Sequence, residues 1–226
     1  MNHYEEQLEE SWEVNSKAWT ESIREEKIKS RKTVTNPAII QAILAQDPQA
    51  VLDIGCGEGW LARELARKDI RVVGIDGSEP LIDAARKLGS GEFFWLNYGQ
   101  FSDDPTKVGS NFDVVVFNFS LLSEQIQSVL EASKLVLKKS GKIIIQTLHP
   151  ISVIHNEMDR YENGWRIENF DGMGEGYQAS MPWYFRTLAS WVRDLHEAGL
   201  QLADCQEPFD PIDGKPLSLI LVVTTK

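Results

Sequence analysis

Three glycines at alternate positions, Gly55, Gly57 and Gly59, follow directly on the apolar run Val51–Ile54, and Asp76 closes the next apolar run. Glycine is required where a backbone turns sharply or where a ligand lies against bare main chain. An ionised carboxylate such as Asp76 can accept two hydrogen bonds from a vicinal diol, each worth about 1.5–3 kcal/mol when charge-assisted. The interval from the loop to that acid suits a ribose-binding acid in a β–α–β nucleotide unit, where about twenty residues are expected. A dinucleotide loop would read G-x-G-x-x-G, but its third glycine position is occupied here by Trp60. Asp53 adds a negative charge beside the loop, which repels a pyrophosphate and suits a cationic ligand. The residues therefore favour a positively charged nucleoside over a dinucleotide, and a nicotinamide-dependent oxidoreductase is disfavoured.

These residues need a strand, a loop and a helix to hold them. The chain reads as helix-rich to about Leu44, then as alternating strands and helices to about Glu197, then as a closing strand pair. Strands are expected at 50–55, 70–75, 91–96, 112–118, 141–147, 200–207 and 217–224, and helices at Leu81 to Leu88 and Thr187 to Ala198. Alternation of this kind predicts a parallel sheet covered by helices on both faces. The last two strands are joined by a turn-rich link, 209–216, too short for a helical crossover, so they should form an antiparallel hairpin.

The runs VLDIGCGEG (51–59), VVGIDGSEPLIDAAR (72–86), FDVVVFNFSLL (112–122) and LKKSGKIIIQTLHP (137–150) together resemble the class I S-adenosylmethionine-dependent methyltransferases. The resemblance covers residues 34 to 150 and extends more loosely beyond. It implies an α/β, Rossmann-like, doubly wound, mostly parallel seven-stranded sheet with an antiparallel last strand, N-terminal helices and a lid insertion after the fifth strand. It implies one domain, 1–226, with residues 1–36 as a helical cap and 151–182 as a lid that covers substrate. It further implies S-adenosylmethionine as cofactor, S-adenosylhomocysteine as product, and in-line transfer of a methyl group to oxygen or nitrogen of a small metabolite.

Carried onto this sequence, the cofactor site comprises Asp53, Gly55, Cys56, Gly57, Gly59, Asp76 and Gly77, with Cys56 a small filler in the loop. Asn97 or Tyr98 stands where an adenine-binding acid is common, and Asn118 should lie near the methionine portion. Trp19 could cover the cofactor and Arg31 could meet its carboxylate. Trp12 and Trp19, seven apart, are expected on one helix face; packing is the commoner fate of such aromatics.

Methyl transfer chiefly needs alignment and exclusion of water, with a base for some acceptors. His149, just past the fifth strand, is the candidate base; alternatively His149-Pro150 is a strand-ending turn whose imidazole is satisfied by backbone. In the run Met181–Thr187, Trp183, Tyr184 and Arg186 are candidate acceptor contacts, an aromatic wall plus an anchor for a carboxylate. The other reading makes Trp183 and Phe185 core, and Tyr184 and Arg186 surface. The first reading would make the acceptor acidic or aromatic. A second class of function, a catalytically inactive cofactor-binding regulator of the same fold, stays open because the adenine acid is missing.

Composition bounds the partners. The formal net charge of −11 disfavours nucleic acid, and the basic stretch Arg24 to Lys32 is broken by Glu25 and Glu26 into a solvated, salt-bridged face. The Asn-Pro-Pro-aromatic signature of nucleic-acid amino methyltransferases is replaced by Asn118-Phe119-Ser120-Leu121. Two cysteines, Cys56 and Cys205, allow neither a disulfide framework nor a four-cysteine metal site; no metal is expected. No apolar run approaches a membrane span. A cytoplasmic monomer or homodimer without membrane association is the expectation.

Overall fold

The computed structural model describes residues 3–157, 160–173 and 175–226, and the side chains of 155–157 lie outside the description. Residues 158, 159 and 174 of the expected lid therefore lie outside the described residues. Five parallel strands, β1 (Ala50–Ile54), β2 (Arg71–Asp76), β3 (Glu92–Trp95), β4 (Phe112–Asn118) and β5 (Leu137–Leu148), are followed by β8 (Leu200–Gln206) and β9 (Ser218–Thr225) in one sheet. The order is β3-β2-β1-β4-β5-β9-β8, and β9 runs antiparallel to both of its neighbours. The expected topology is present.

Side-chain alternation along these strands builds two cores. Leu52, Ile54, Val115, Phe117, Ile143 and Ile145 face one side, where Phe101 of α6 (Tyr98–Asp103), Leu130 of α7 (Gln127–Val136) and Trp191 of α9 (Leu188–Glu197) cover them. Val51, Val114, Val116 and Ile144 face the other side. There they meet Ile39 of α3 (Asn36–Leu44), Leu61 of α4 (Trp60–Ala66) and Ile82 of α5 (Glu79–Leu88). Because both faces are buried, the central strands are continuously apolar, as parallel strands must be.

Three local expectations are corrected. Trp12 and Trp19 do not share one helix: α1 (His3–Val14) stops at Asn15, and α2 (Ser16–Arg24) starts beyond it. The two indoles nonetheless stack, with centroids 5.3 Å apart. The fifth strand begins four residues earlier than expected, directly after α7, with an irregularity in its pairing to β4 near Phe112. The insertion after β5, for which no strand was expected, carries secondary structure of its own. It holds α8 (Pro150–Glu157) and an antiparallel pair, β6 (Gly164–Glu168) with β7 (Met181–Phe185).

Cap and insertion share a third core. Leu8 from α1 packs with Leu122, Val153, Phe170, Met181, Trp183 and Phe185, and Trp12, Trp19 and Tyr177 close its edge. Asn15, fully buried, ties the two segments by main-chain hydrogen bonds. Its Oδ1 accepts from the Gln178 N–H at 2.6 Å, and its Nδ2 donates to the Ala179 carbonyl at 2.7 Å.

Candidate active site

The glycine loop is held from below by groups that leave its outer side open. Gly55 has φ +76°, and a Cβ there would sit 2.3 Å from the Ser120 Cβ; only glycine fits. Ser120 in turn donates its hydroxyl to the Ile54 carbonyl at 2.7 Å, fastening the segment after β4 to the end of β1. Gly57 has φ +56°, yet a Cβ there would meet nothing within 4 Å. Its main chain thus borders free space, as a site for a ligand laid against backbone requires. Gly59, at φ +78°, packs against Phe93 and Ala85 and starts α4.

Asp76 connects the loop to the second strand. One carboxylate oxygen accepts from the Gly57 N–H at 2.8 Å and the other from the Ser78 N–H at 2.9 Å. Burial pushes its pKa above the ordinary carboxylate value, while these two amide bonds pull the other way. Each oxygen keeps a further lone pair for a ligand hydroxyl. Gly77 lies beside Asn97, with the Asn97 Cβ 3.4 Å from where its own Cβ would be. Asp53 is 2 % exposed, and burial, then the nearby Asp76 charge, raises its pKa to about 8. Cys56 is buried against Gly74, which leaves room for the sulfur, and its thiol is pushed up by burial. A buried, raised-pKa thiol packs as a small apolar group.

Asn97 caps α6: its Oδ1 accepts from the Gln100 N–H, and Gln100 returns a bond to the Asn97 N–H. Tyr98 does not sit on the rim where an adenine would be read. Its hydroxyl donates to the Ser120 carbonyl at 2.7 Å, under the loop and 3.3 Å from the Cβ position of Gly55. Asn118 lies at the end of β4 with its Oδ1 buried and unpartnered among the described residues. The next residue, Phe119, has φ +55°, a strained conformation for a bulky side chain that is found chiefly where a site enforces it.

Arg31 opens a π-helical turn, Arg31–Thr35, between α2 and α3, a geometry frequent at functional sites. Its guanidinium lies over the Trp60 ring at 5.6 Å and the Phe119 ring at 5.8 Å. Burial lowers its pKa to about 10, against the opposing charge of Glu58. Its hydrogen bond, Nε to Asn36 Oδ1, is long at 3.4 Å, and no ion pair of Arg31 occurs among the described residues. Arg31 is thus brought to the loop with its charge uncommitted. Trp19 is placed farther out, in the aromatic cluster with Trp12, Phe170 and Tyr177, and its indole Nε1 is buried without a partner among the described residues.

Glu58 escaped the sequence reading. It is 2 % exposed inside the glycine loop, with Arg63 at 2.5 Å and Arg24 at 2.9 Å. Arg24 comes from the basic stretch expected to be solvated, so that stretch splits: Lys27 and Lys32 pair with Glu25 and Glu26 outside, while Arg24 and Arg31 turn inward. An acid between glycines, with an arginine five residues on, was the available signal.

The acceptor-side candidates fare differently. His149 is 4 % exposed, and its Nδ1 accepts from the Ile151 N–H at 3.2 Å, which leaves the proton on Nε2, 2.8 Å from Glu207 Oε1. Both ring nitrogens are used at the start of α8: Nδ1 by backbone, as the turn reading expects, and Nε2 by the Glu207 carboxylate, which that reading did not include. Arg186 is neither surface nor a free anchor. It is 2 % exposed, donating to Asp194 at 2.9 Å and to the carbonyls of Ser123 and Glu124 at 2.8 and 2.6 Å. Trp183 and Phe185 are core, as the alternation of β7 dictates, and Tyr184, half-buried, packs edge-on to Trp165.

Comparisons with known proteins agree with this geometry. Residues 51–141 match a protein family described as methyltransferase domain. An uncharacterized methyltransferase of Schizosaccharomyces pombe is 29 % identical over 171 residues, covering 73 % of this chain and 64 % of that protein. A ubiquinone biosynthesis O-methyltransferase of Nitrosococcus oceani is 36 % identical over 104 residues, 44 % of this chain and 43 % of its own length. The chain thus spans less than two thirds of either relative. The crystal structure of an S-adenosylmethionine dependent methyltransferase from Mesorhizobium loti superposes with TM-score 0.58 at 20 % identity, over 81 % of this chain and 95 % of that one. With the sheet order, the glycine loop and the acid after β2 all in place, residues 51–141 match the methyltransferase domain family, and the chain has the fold of the S-adenosylmethionine-dependent methyltransferases it resembles.

Proposed function

We propose that this protein transfers the methyl group of S-adenosylmethionine to oxygen or nitrogen of a small metabolite bound between the N-terminal cap and the insertion after β5. The observation that carries the reading is the closed pair of Asp76 and Gly57, which sets a carboxylate and open glycine backbone side by side. Asp76 would take the ribose hydroxyls, Gly55 and Gly57 would lie under the sulfonium half, and Arg31 would meet the carboxylate of its methionine portion. The cofactor supplies an electrophilic methyl; this chain's residues align it and exclude water. Neither His149 nor Arg186 is kept as an acceptor contact: both ring nitrogens of His149 are bonded inside the protein, and Arg186 is 2 % exposed with Nε and Nη2 engaged, only Nη1 lacking a partner among the described residues. Without Arg186 as an anchor, the case for an acidic acceptor loses its support. The relative named a ubiquinone biosynthesis O-methyltransferase supports oxygen as the accepting atom.

Calorimetric titration of S-adenosylhomocysteine into wild type and Asp76→Ala tests this. Binding in wild type that weakens tenfold or more in the variant is expected, the loss of one or two charge-assisted hydrogen bonds. Absence of binding in wild type would overturn it.

A further inference from the structure

The seven-stranded sheet has two edges, and they are finished differently. β3, at one end, is only four residues long and opens on Glu92, which is ion-paired to Arg71 of the neighbouring strand. A short strand that carries charge is an edge protected against further pairing. β8, at the other end, runs for seven residues, Leu200–Gln206, and pairs with β9 alone among the described residues. Gln201, Leu202, Ala203, Asp204 and Cys205 are all exposed, so neither face of this strand is covered along its middle. Proline, lysine and arginine are absent from it. What blunts the edge is one acid, Asp204, and a break in the register with β9 at Ala203. An exposed strand of this length, with a free row of main-chain groups, is a template for another strand.

Two features of the molecule select what fits there. The first is charge. At the Leu200 end, the ammonium groups of Lys134 and Lys226 sit on the carbonyls of Ala198 and His196, at 2.6 and 3.2 Å. Toward the Gln206 end stand the exposed acids Asp204 and Glu207, the side chain of the latter 60 % exposed. A second β8 laid antiparallel brings the basic end of each copy to the acidic end of the other, whereas a parallel one sets like against like. The second feature is apolar surface. α9 packs on β8 from the side of Leu200, and it exposes Leu188 and Val192. Leu202 points to that same side of the strand and is 39 % exposed. A two-fold axis perpendicular to the sheet puts α9 of both copies on one side, so these residues meet their own counterparts across the axis.

We infer that two copies of this chain pair through β8, antiparallel and centred on Ala203, the middle residue of the strand. The two seven-stranded sheets then become one continuous sheet. Gly199, whose carbonyl accepts from the Lys226 N–H at 3.3 Å, comes to lie opposite the partner's Glu207. This pairing needs neither the cofactor nor the acceptor of the function proposed above.

Sedimentation velocity over a wide range of concentration tests this on wild type, Ala203→Pro and Ala203→Lys. Proline is tolerated at a bulge of an edge strand, and it removes an N–H from the pairing edge. Lysine sets two like charges directly opposite each other at the axis. Wild type is expected to form a dimer that weakens as salt is raised, and each variant to weaken it about tenfold or more. Amide hydrogen exchange at 201–205 should slow at the concentrations where the wild-type dimer forms and stay fast in both variants. The exchange comparison between dilute and concentrated wild type stands even where a variant fails to fold. Wild type that stays monomeric throughout overturns the inference. So does a dimer that both variants leave intact, or one whose exchange protection falls outside β8, since the interface then lies elsewhere.

Discussion

At the scale of single residues, the site depends on carboxylates kept where water does not reach. Asp53 titrates near 8 in the folded chain against about 4 when unfolded. Its folded form therefore holds a proton that the unfolded form has already lost between those values. The sign follows from linkage: with more protons bound in the native state, stability falls as pH rises from about 4 to about 8, by at most about 1.4 kcal/mol per pH unit. Asp53→Asn should flatten that slope, which denaturant melts at pH 5 and pH 8 would read; an unchanged slope would show that Asp53 ionises freely. Gly55 gives the steric counterpart. In Gly55→Ala a methyl at φ +76° would collide with Ser120, itself bonded to Ile54. A loss of about 1–3 kcal/mol together with loss of nucleoside binding is expected, and chemical denaturation alongside calorimetry checks both.

At the scale of elements, what was legible in the sequence is what depends on local pattern. The strands β1 to β4, the loop glycines and Asp76 could be read because apolar runs, turn residues and spacing are properties of neighbours in the chain. The pair β6–β7 was not legible: its strands are thirteen residues apart at their nearest ends, and their partners come from cap and insertion. Arg186 was misread for the same reason, since Asp194, Ser123 and Glu124 are brought to it by folding alone. His149 was placed correctly at the sheet's edge, but position in an element does not reveal which bonds the ring already makes. The start of α8 now assigns it a capping role. His149→Asn should cost about 1 kcal/mol of stability and leave methyl transfer within about threefold with an unmoved pH–rate profile. A general base would lose 10²–10⁴-fold and its limb of that profile. Measuring kcat/KM across pH separates the two.

At the scale of the whole molecule, cap and insertion act as one layer over the carboxyl edge of the sheet. Tyr4 stacks on Trp165 with centroids 5.1 Å apart, Phe170 stacks on Tyr177 at 4.1 Å, and the Tyr184 N–H bonds the Leu122 carbonyl at 2.7 Å. Asn15 is the polar pin of this layer: it caps nothing in its own helices, yet its amide meets the main chain at both Gln178 and Ala179. Aromatic contacts slide with little penalty, whereas a buried amide bonded to backbone has one register. The insertion should therefore lose its fixed seat when Asn15 is replaced, even though the two aromatic pairs remain. In Asn15→Leu the Gln178 N–H and Ala179 carbonyl lose their side-chain partner, a cost of about 1–3 kcal/mol for each group left buried. The expected signature is local: limited proteolysis should cut within 160–180 several times faster, while affinity for S-adenosylhomocysteine, which the proposed function places on the loop and Asp76, changes little. Faster cleavage spread evenly along the chain would mean that Asn15 supports the fold as a whole and not the seating of this layer.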